Sequence, residues 1–260
     1  MNDAMRKGAG VSLALLVVFL AAWQWGPGLL GVPAFIVPPL STVAREFVIA
    51  WQVDHLLLHT LVTAGEVLAG FILGSLLGAF FGYLLGMSPT AELALSPYIL
   101  ALQIAPKVAF APLFILWMGF TVYPKILVAI LIVFFPVMVN VLTAVRTVDP
   151  DLINLARAFK ATRAQIFWKI EFPNSMPPMF AGLRIGATLA VVGVVVGELV
   201  GGNMGLGYLL TYGEGQARTP LVFVSIVMLT FVGAIAYLAV ILIERQVLHY
   251  LPARTIGGNL

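Results

Sequence analysis

Four ionisable side chains stand inside or at the edge of long apolar stretches: Glu66, Lys107, Arg184 and Glu198. A charge at membrane depth is costly and is kept for a function or for a partner. Lys107 is the deepest, lying between Pro106 and Pro112, and Gln103 sits one helical turn before it. An ammonium there suits an anionic solute, and it equally suits a neighbouring carboxylate or backbone carbonyls. Glu66 and Glu198 lie toward one end of their stretches and Arg184 toward the other, so each can also pair or snorkel. Gln103, Lys107 and Glu198 are the candidate lining of a path through the membrane.

Other chemistries find too few residues. Aspartate occurs only at Asp3, Asp54, Asp149 and Asp151, outside the long apolar stretches, and none of those stretches contains a histidine. Hydrolysis at membrane depth by paired aspartates or by Ser/His is therefore excluded. Asp54, His55 and His59 offer a carboxylate and two imidazoles at i, i+4, but a metal needs more ligands than these. A polar cluster at a helix start is expected there, with no metal. The chain has no cysteine and no G-x-x-x-x-G-K-[ST] loop. Any nucleotide that does work here is bound by another chain.

These residues sit in a chain of 260 amino acids, 61% hydrophobic and only 10% charged. Soluble domains carry about 25% charged residues. The chain reads as an all-α integral membrane protein in one transmembrane domain, with six spans near 11–29, 64–86, 92–118, 123–146, 175–199 and 220–243. The first stretch has the basic start and apolar middle of a signal peptide. No small-x-small cleavage site follows it, however, and Trp23 and Trp25 resemble interfacial anchors, so a retained first span is expected. The segment from Ser41 to Gln52 reads as an amphipathic interfacial helix capped by Ser41.

Two features constrain how the spans pack. In the second, Gly70, Gly74, Gly78, Gly82 and Gly86 recur every four residues, at a cost of about 1 kcal/mol each in helix propensity. Such a stripe lets another helix approach closely in lipid. The third span is broken by Pro97, Pro106 and Pro112, which is tolerated where it lines a cavity or is buried in protein.

The charge balance sets the orientation. Arg6, Lys7, Arg146, Arg157, Lys160, Arg163, Lys169, Arg245 and Arg254 fall on one side, against Arg45, Lys125 and Arg218 on the other. The positive-inside tendency places both termini and the 147–174 loop in the cytoplasm. The net charge of +3 is spent on topology and does not point to nucleic acid.

That loop is the most charged part of the chain, and it has order of its own. Leu152, Leu155, Ala156 and Phe159 share a helical face, with Asp149 or Asp151 as cap. A second short helix is expected over 162–170, with Thr162 as its N-cap and Ile166, Phe167 and Ile170 as its apolar face. Pro173 then ends the loop. The two helices make a knob, apolar inside and basic outside, shaped to fill a groove on a soluble partner.

The loop resembles the cytoplasmic motif of ABC importer permeases, E-A-A, three residues, G, nine residues, I-x-L-P. Asn154, Leu155 and Ala156 stand at the first three positions, Lys160 at the glycine, Ile170 at the isoleucine, Phe172 at the leucine and Pro173 at the proline. Ala156, Ile170 and Pro173 match in identity, while Asn154 and Lys160 depart. HTLVTAGEVLAGFILGSLLGAFFGYLLG, IAPKVAFAPLFILWMGF and GLRIGATLAVVGVVVGELVGGNMGLGYLL extend the likeness to the nitrate/sulfonate/taurine branch, over roughly 38–248.

The resemblance implies a type I, binding-protein-dependent importer in the bacterial cytoplasmic membrane. It implies a second permease copy, expected as a homodimer, and two ATP-binding subunits that carry the ATP and Mg, this chain binding no cofactor and catalysing no reaction. It also implies an extracytoplasmic binding protein and a small anionic or polar organic solute. Contact with the ATPase is expected at Ala156, Arg157, Lys160, Ala161, Gln165, Phe167, Ile170 and Pro173. A stand-alone secondary transporter or channel-like protein is the alternative. Such a transporter would carry inverted repeats, which are not evident here.

Overall fold

The computed structural model describes residues 3–146 and 148–249. Arg254, counted in the charge balance, lies outside them. Hydrocarbon offers the backbone no hydrogen-bond partner, so a spanning chain must satisfy its own amides. The described residues are accordingly helical, with no strand among them. In order they are α1 (Asp3–Leu29), α2 (Leu40–Gln52), α3 (Leu56–Gly86), α4 (Pro89–Ile104), a 3-10 turn (Lys107–Phe110) and α5 (Ala111–Met118). They continue with α6 (Val122–Arg146), α7 (Pro150–Ala158), α8 (Arg163–Ile166), a π turn (Phe167–Glu171), α9 (Phe172–Gly201), α10 (Leu206–Gly215) and α11 (Thr219–Val247). Among the described residues five helices are long and apolar enough to cross a membrane, and α4 with the 107–118 segment, bent by 76°, is apolar and long enough to make a broken sixth span or a re-entrant loop.

The core is α6 held between α3 and α9. The glycine edge of α3 lies along α6. A Cβ added at Gly74 would stand 2.9 Å from the Val133 Cβ, and one at Gly78 would stand 2.6 Å from the Phe134 carbonyl oxygen. Gly70, Gly82 and Gly86 meet Ala129, Met138 and Val145 in the same way. The same strip of α6, through Ala129 and Val133, also meets a second small-residue edge on α9. There an added Cβ would lie 2.5 Å from Ala129 Cα at Gly193 and 2.7 Å from Lys125 Cα at Gly197. Ala129 is thus wedged between Gly70 and Gly193 and is wholly buried. In lipid no hydrophobic force pulls helices together, so this close backbone approach is what holds them.

Several boundaries differ from the sequence reading. The second span begins at Leu56 rather than 64, because His59, Thr63 and Glu66 are buried inside the protein. The third breaks at Ala105–Pro106. Pro97 stays within α4, and Pro112 falls in the first turn of α5, where a missing N–H is harmless. The sixth span runs to Val247 because Glu244 turns inward to a partner on α9. Ser41 does not cap α2. Its N–H and hydroxyl instead bond the Gln24 side chain, which ties α1 to α2. Trp23 donates its indole N–H to the Pro38 carbonyl at 3.1 Å, pinning the loop between those helices.

The largest difference is at the knob. No second separate helix forms there, because α8, the π turn and α9 run on as one 39-residue rod from Arg163 to Gly201. Pro173 has no N–H to offer and its ring crowds the carbonyl four residues earlier. A wider turn over 167–171 takes up that strain without ending the helix.

Replacing Gly78 by leucine forces apart α3 and the Phe134 carbonyl. The purified protein is expected to lose about 1–3 kcal/mol of stability, read as a lower unfolding temperature, whereas the outward-facing Leu76→Ala leaves it nearly unchanged.

Candidate functional site

The exposed loop carries the first candidate surface. Asp149 caps α7 by accepting the Asp151 amide at 2.9 Å. Leu152, Leu155 and Phe159 then line one edge of the helix and face outward, Phe159 with 80% of its surface exposed. The expectation of an apolar interior to the knob is therefore corrected, because the apolar edge is presented to the outside. After α7 the chain must turn sharply, and Lys160 does so with a left-handed φ of 56°. The residue at the family's glycine position thus adopts the conformation that glycine favours. The Ala161 amide closes the turn on the Ala156 carbonyl at 3.0 Å.

Thr162 and Gln165 then form a reciprocal capping box that starts the rod. Gln165 is therefore engaged within the loop. Ile166 is buried, and the Phe167 ring packs 5.3 Å from that of Tyr83 on α3. Phe167, placed by sequence at the partner contact, thus anchors the loop to its own transmembrane body. Ile170 is half-buried, and Pro173 lies in the first turn of α9. A cleft between loop and α3 is lined by Tyr83, Met87, Arg157, Ala161, Arg163, Ala164, Ile166, Phe167 and Glu171. Arg157 and Arg163 outnumber Glu171, so its net charge is positive.

The break in the third span carries the second. Lys107 donates to the Gln103 carbonyl at 2.6 Å and its ammonium lies 4.8 Å over the Phe135 ring. A cation placed on the last carbonyls of α4 meets the negative end of that helix. Gln103 takes part through its backbone, and its side chain is exposed. An ion pair between Glu92 and Arg146 ties the start of α4 to the end of α6.

The third is a buried polar network that sequence reasoning missed. Lys125 pairs with Glu66 at 2.5 Å, both side chains about 95% buried. The charge balance places Lys125 among the charges on the side opposite the termini; it is an internal partner. Beside it, Glu198 accepts the Thr63 hydroxyl at 2.7 Å and the Gly207 amide at 2.6 Å. Thr63 in turn accepts the Leu206 amide at 2.7 Å, and His59 accepts the Gly205 amide at 2.9 Å.

The first amides of α10 are thus each taken by a side chain from α3 or α9, which disposes of donors a helix start leaves orphaned. Gly205 (φ 111°) and Gly207 have no Cβ to keep the Glu198 carboxylate away from those amides. Glu198 therefore holds α10 in place, and its contacts share no partner with those of Lys107 and Gln103. The signal in the sequence was only that Glu66 and Lys125, of opposite charge, stand near ends of the second and fourth spans.

Two further arginines complete the electrostatics. Arg218 grips Asp54 at 2.9 and 3.1 Å and Glu46 at 2.5 Å, joining α2 and the start of α3 to α11. Those two carboxylates hold the Arg218 guanidinium above its ordinary pKa. Asp54 and His59, considered together as ligands, are drawn to different partners. Arg184 meets Glu244 of α11 through two nitrogens, at 3.2 and 3.3 Å.

Breaking a buried pair on one side costs more than removing it whole. Lys125→Met is expected to destabilise the protein by about 3–5 kcal/mol. The double variant Lys125→Met/Glu66→Leu is expected to regain most of that loss, as read from unfolding temperatures of the purified proteins.

The described geometry has counterparts among known proteins. The family model for the binding-protein-dependent transport system inner membrane component matches residues 70–255. The riboflavin transport system permease protein RibX of Chloroflexus aurantiacus is 40% identical over 243 residues, covering 94% of this chain and 90% of its own. The putative aliphatic sulfonates transport permease protein SsuC of Bacillus subtilis is 34% identical over 255 residues, covering 95% and 92%. Among solved structures, an inward-facing MetNI methionine ABC transporter matches with a TM-score of 0.64 at 20% identity, over 74% of this chain and 95% of that one, a likeness of fold. The chain belongs to the binding-protein-dependent transport system inner membrane component family, and is a non-catalytic, membrane-spanning permease subunit of a type I ABC importer.

Proposed function

We propose that two copies of this chain form the pore of an importer for a small polar or anionic organic solute. Each copy engages an ATP-binding subunit through α7, and ATP and Mg are held on that partner. A binding protein delivers the solute to the opposite face. The carrying observation is the outward apolar edge of α7, with Leu155 and Phe159 exposed beside the positive cleft of Arg157 and Arg163. Exposed aromatic and aliphatic side chains flanked by arginine are what a docking hot spot is made of. Ala156, Lys160 and Ala161 set the turn that presents this edge, and Gln165, Phe167, Ile170 and Pro173 carry its displacement into α9. A stand-alone transporter would leave the edge without a partner.

The charge balance supports an orientation with both termini and α7 in the cytoplasm of a bacterium. The burial of Lys125 lowers the opposing count and strengthens the asymmetry. The solute class is supported by the relatives, whose names give riboflavin and aliphatic sulfonates. It is also supported by Lys107, a cation at a break in a span. Gln103 and Lys107 are the proposed contacts along the path; Glu198 contributes by fixing α10.

Reconstitution with the cognate ATP-binding subunit and binding protein tests this reading. Leu155→Glu and Phe159→Asp are expected to abolish co-purification of the ATPase and to lower ATP-driven uptake by at least about 30-fold, as loss of a 2 kcal/mol hot spot would. Lys160→Gly, which suits the left-handed turn, keeps both. Unchanged uptake with Leu155→Glu contradicts the reading.

A further inference from the structure

The cleft between the loop and α3, about 690 Å³, holds charges of both signs that do not meet. Arg157 of α7 and Arg163 of α8 line it, and so does Glu171 at the end of the π turn. Arg146, Arg184 and Arg218 each pair with a carboxylate. In the cleft no ion pair joins Glu171 to either guanidinium. Among the described residues none of these three side chains has another hydrogen bond or ion pair. Tyr83 brings a hydroxyl that is likewise uncommitted, its ring held against Phe167. Phe167 and Met87 add apolar wall.

The cleft lies on the side of α7 that faces α3. Leu155 and Phe159 stand two residues before and after Arg157, so each is about 200° around the helix from it. A partner seated on that outward edge covers the other face of α7 and leaves the cleft unfilled. Both of its walls belong to this chain. Its volume falls in the range of roughly 300–1,000 Å³ that small-molecule sites occupy.

We infer that this cleft is a binding site for a small zwitterion, with its anionic group at Arg157 and Arg163 and its cationic group at Glu171. The body of the molecule rests on Phe167 and Met87. The charge pattern selects this class. A plain anion gains the two guanidiniums but faces the Glu171 carboxylate, and a plain cation faces the guanidiniums, so each leaves like charges opposed. A molecule of both signs gives all three groups charge-assisted hydrogen bonds. Bound there, it bridges α7 to the π turn across the bend at Lys160 and stiffens the joint between α7 and the rod.

The full-length chain, held in nanodiscs without other subunits, is equilibrated with radiolabelled taurine, which joins a sulfonate to an ammonium. Isethionate, which carries a hydroxyl in place of the ammonium, is measured beside it. Taurine is expected to bind about tenfold more tightly, the effect of one charged hydrogen bond. Glu171→Gln is expected to bring the two ligands to equal affinity. Arg157→Gln/Arg163→Gln is expected to weaken both by at least about tenfold. These side chains have no partner within the chain, so the variants are expected to unfold at the parent's temperature, which separates lost binding from lost fold. The inference is overturned if taurine does not bind, or if both ligands bind the parent equally, which would mean a site for plain anions. It is also overturned if the double arginine variant keeps the parent's affinity, which would put the ligand elsewhere, such as at Lys107. Docking of the ATP-binding subunit takes no part in this measurement, so the two readings fail separately.

Discussion

The rest of the structure depends on how closely α6 can lie between α3 and α9. Its neighbours present glycines, and α6 presents Ala129, Val133 and Val137 to fill the space they leave. Backbones this close exchange dispersion contacts along their whole length, which lipid cannot match. The Lys125–Glu66 pair and the Glu198 network then close one end of the three-helix unit. Phe167 against Tyr83 closes the other. Each closure joins elements already fixed by the glycine seams, so α3, α6, α9 and the start of α10 form one body.

That body bears on function through the rod from Arg163 to Gly201. α8 does not hang from a flexible hinge; it runs into α9 through a π turn that absorbs Pro173, and α7 joins it across the tight turn at Lys160, closed by the Ala161 amide on the Ala156 carbonyl. A force applied to α7 therefore has a direct mechanical route to the amides of α10, through α9 and Glu198. The bent segment from α4 to α5 contrasts with this. It is largely exposed, and it is tied down by Ala111 and Phe114 packed on Val128 and Ile132 of α6, by Glu92 with Arg146, and by Lys107 over Phe135. In the proposed importer the compact body is the lever and the bent segment faces the second copy and the path.

Much of this was legible in the sequence because it is local. The glycines of α3 repeat at a helical period, and Thr162 and Gln165 have capping-box spacing. The break in the third span is marked by Pro106. The family motif is read in the same way, from spacing within one loop. What was not legible is tertiary. Lys125 and Glu66 are 59 positions apart and nothing local distinguishes a paired lysine from an exposed one. The capture of α10's amides by His59, Thr63 and Glu198 joins three elements across more than 140 positions. Lys160 was read as a departure from glycine, whereas the turn forces it into glycine's conformation. Pro173 was read as a stop because proline usually is one, and a wider turn let the helix continue.

The central claim is that α3, α6 and α9 move as one body when the ATP-binding partner acts. The chain has no cysteine, so spin labels can be placed at Leu76 on α3 and Ile185 on α9, both on outward faces, without removing a background thiol. One labelled copy per importer complex is measured with and without trapped ATP. The account predicts that the Leu76–Ile185 distance changes by less than about 2 Å, the scale of shifts within a packed unit. A change of about 5 Å, one helical turn of slip between the helices, would contradict it.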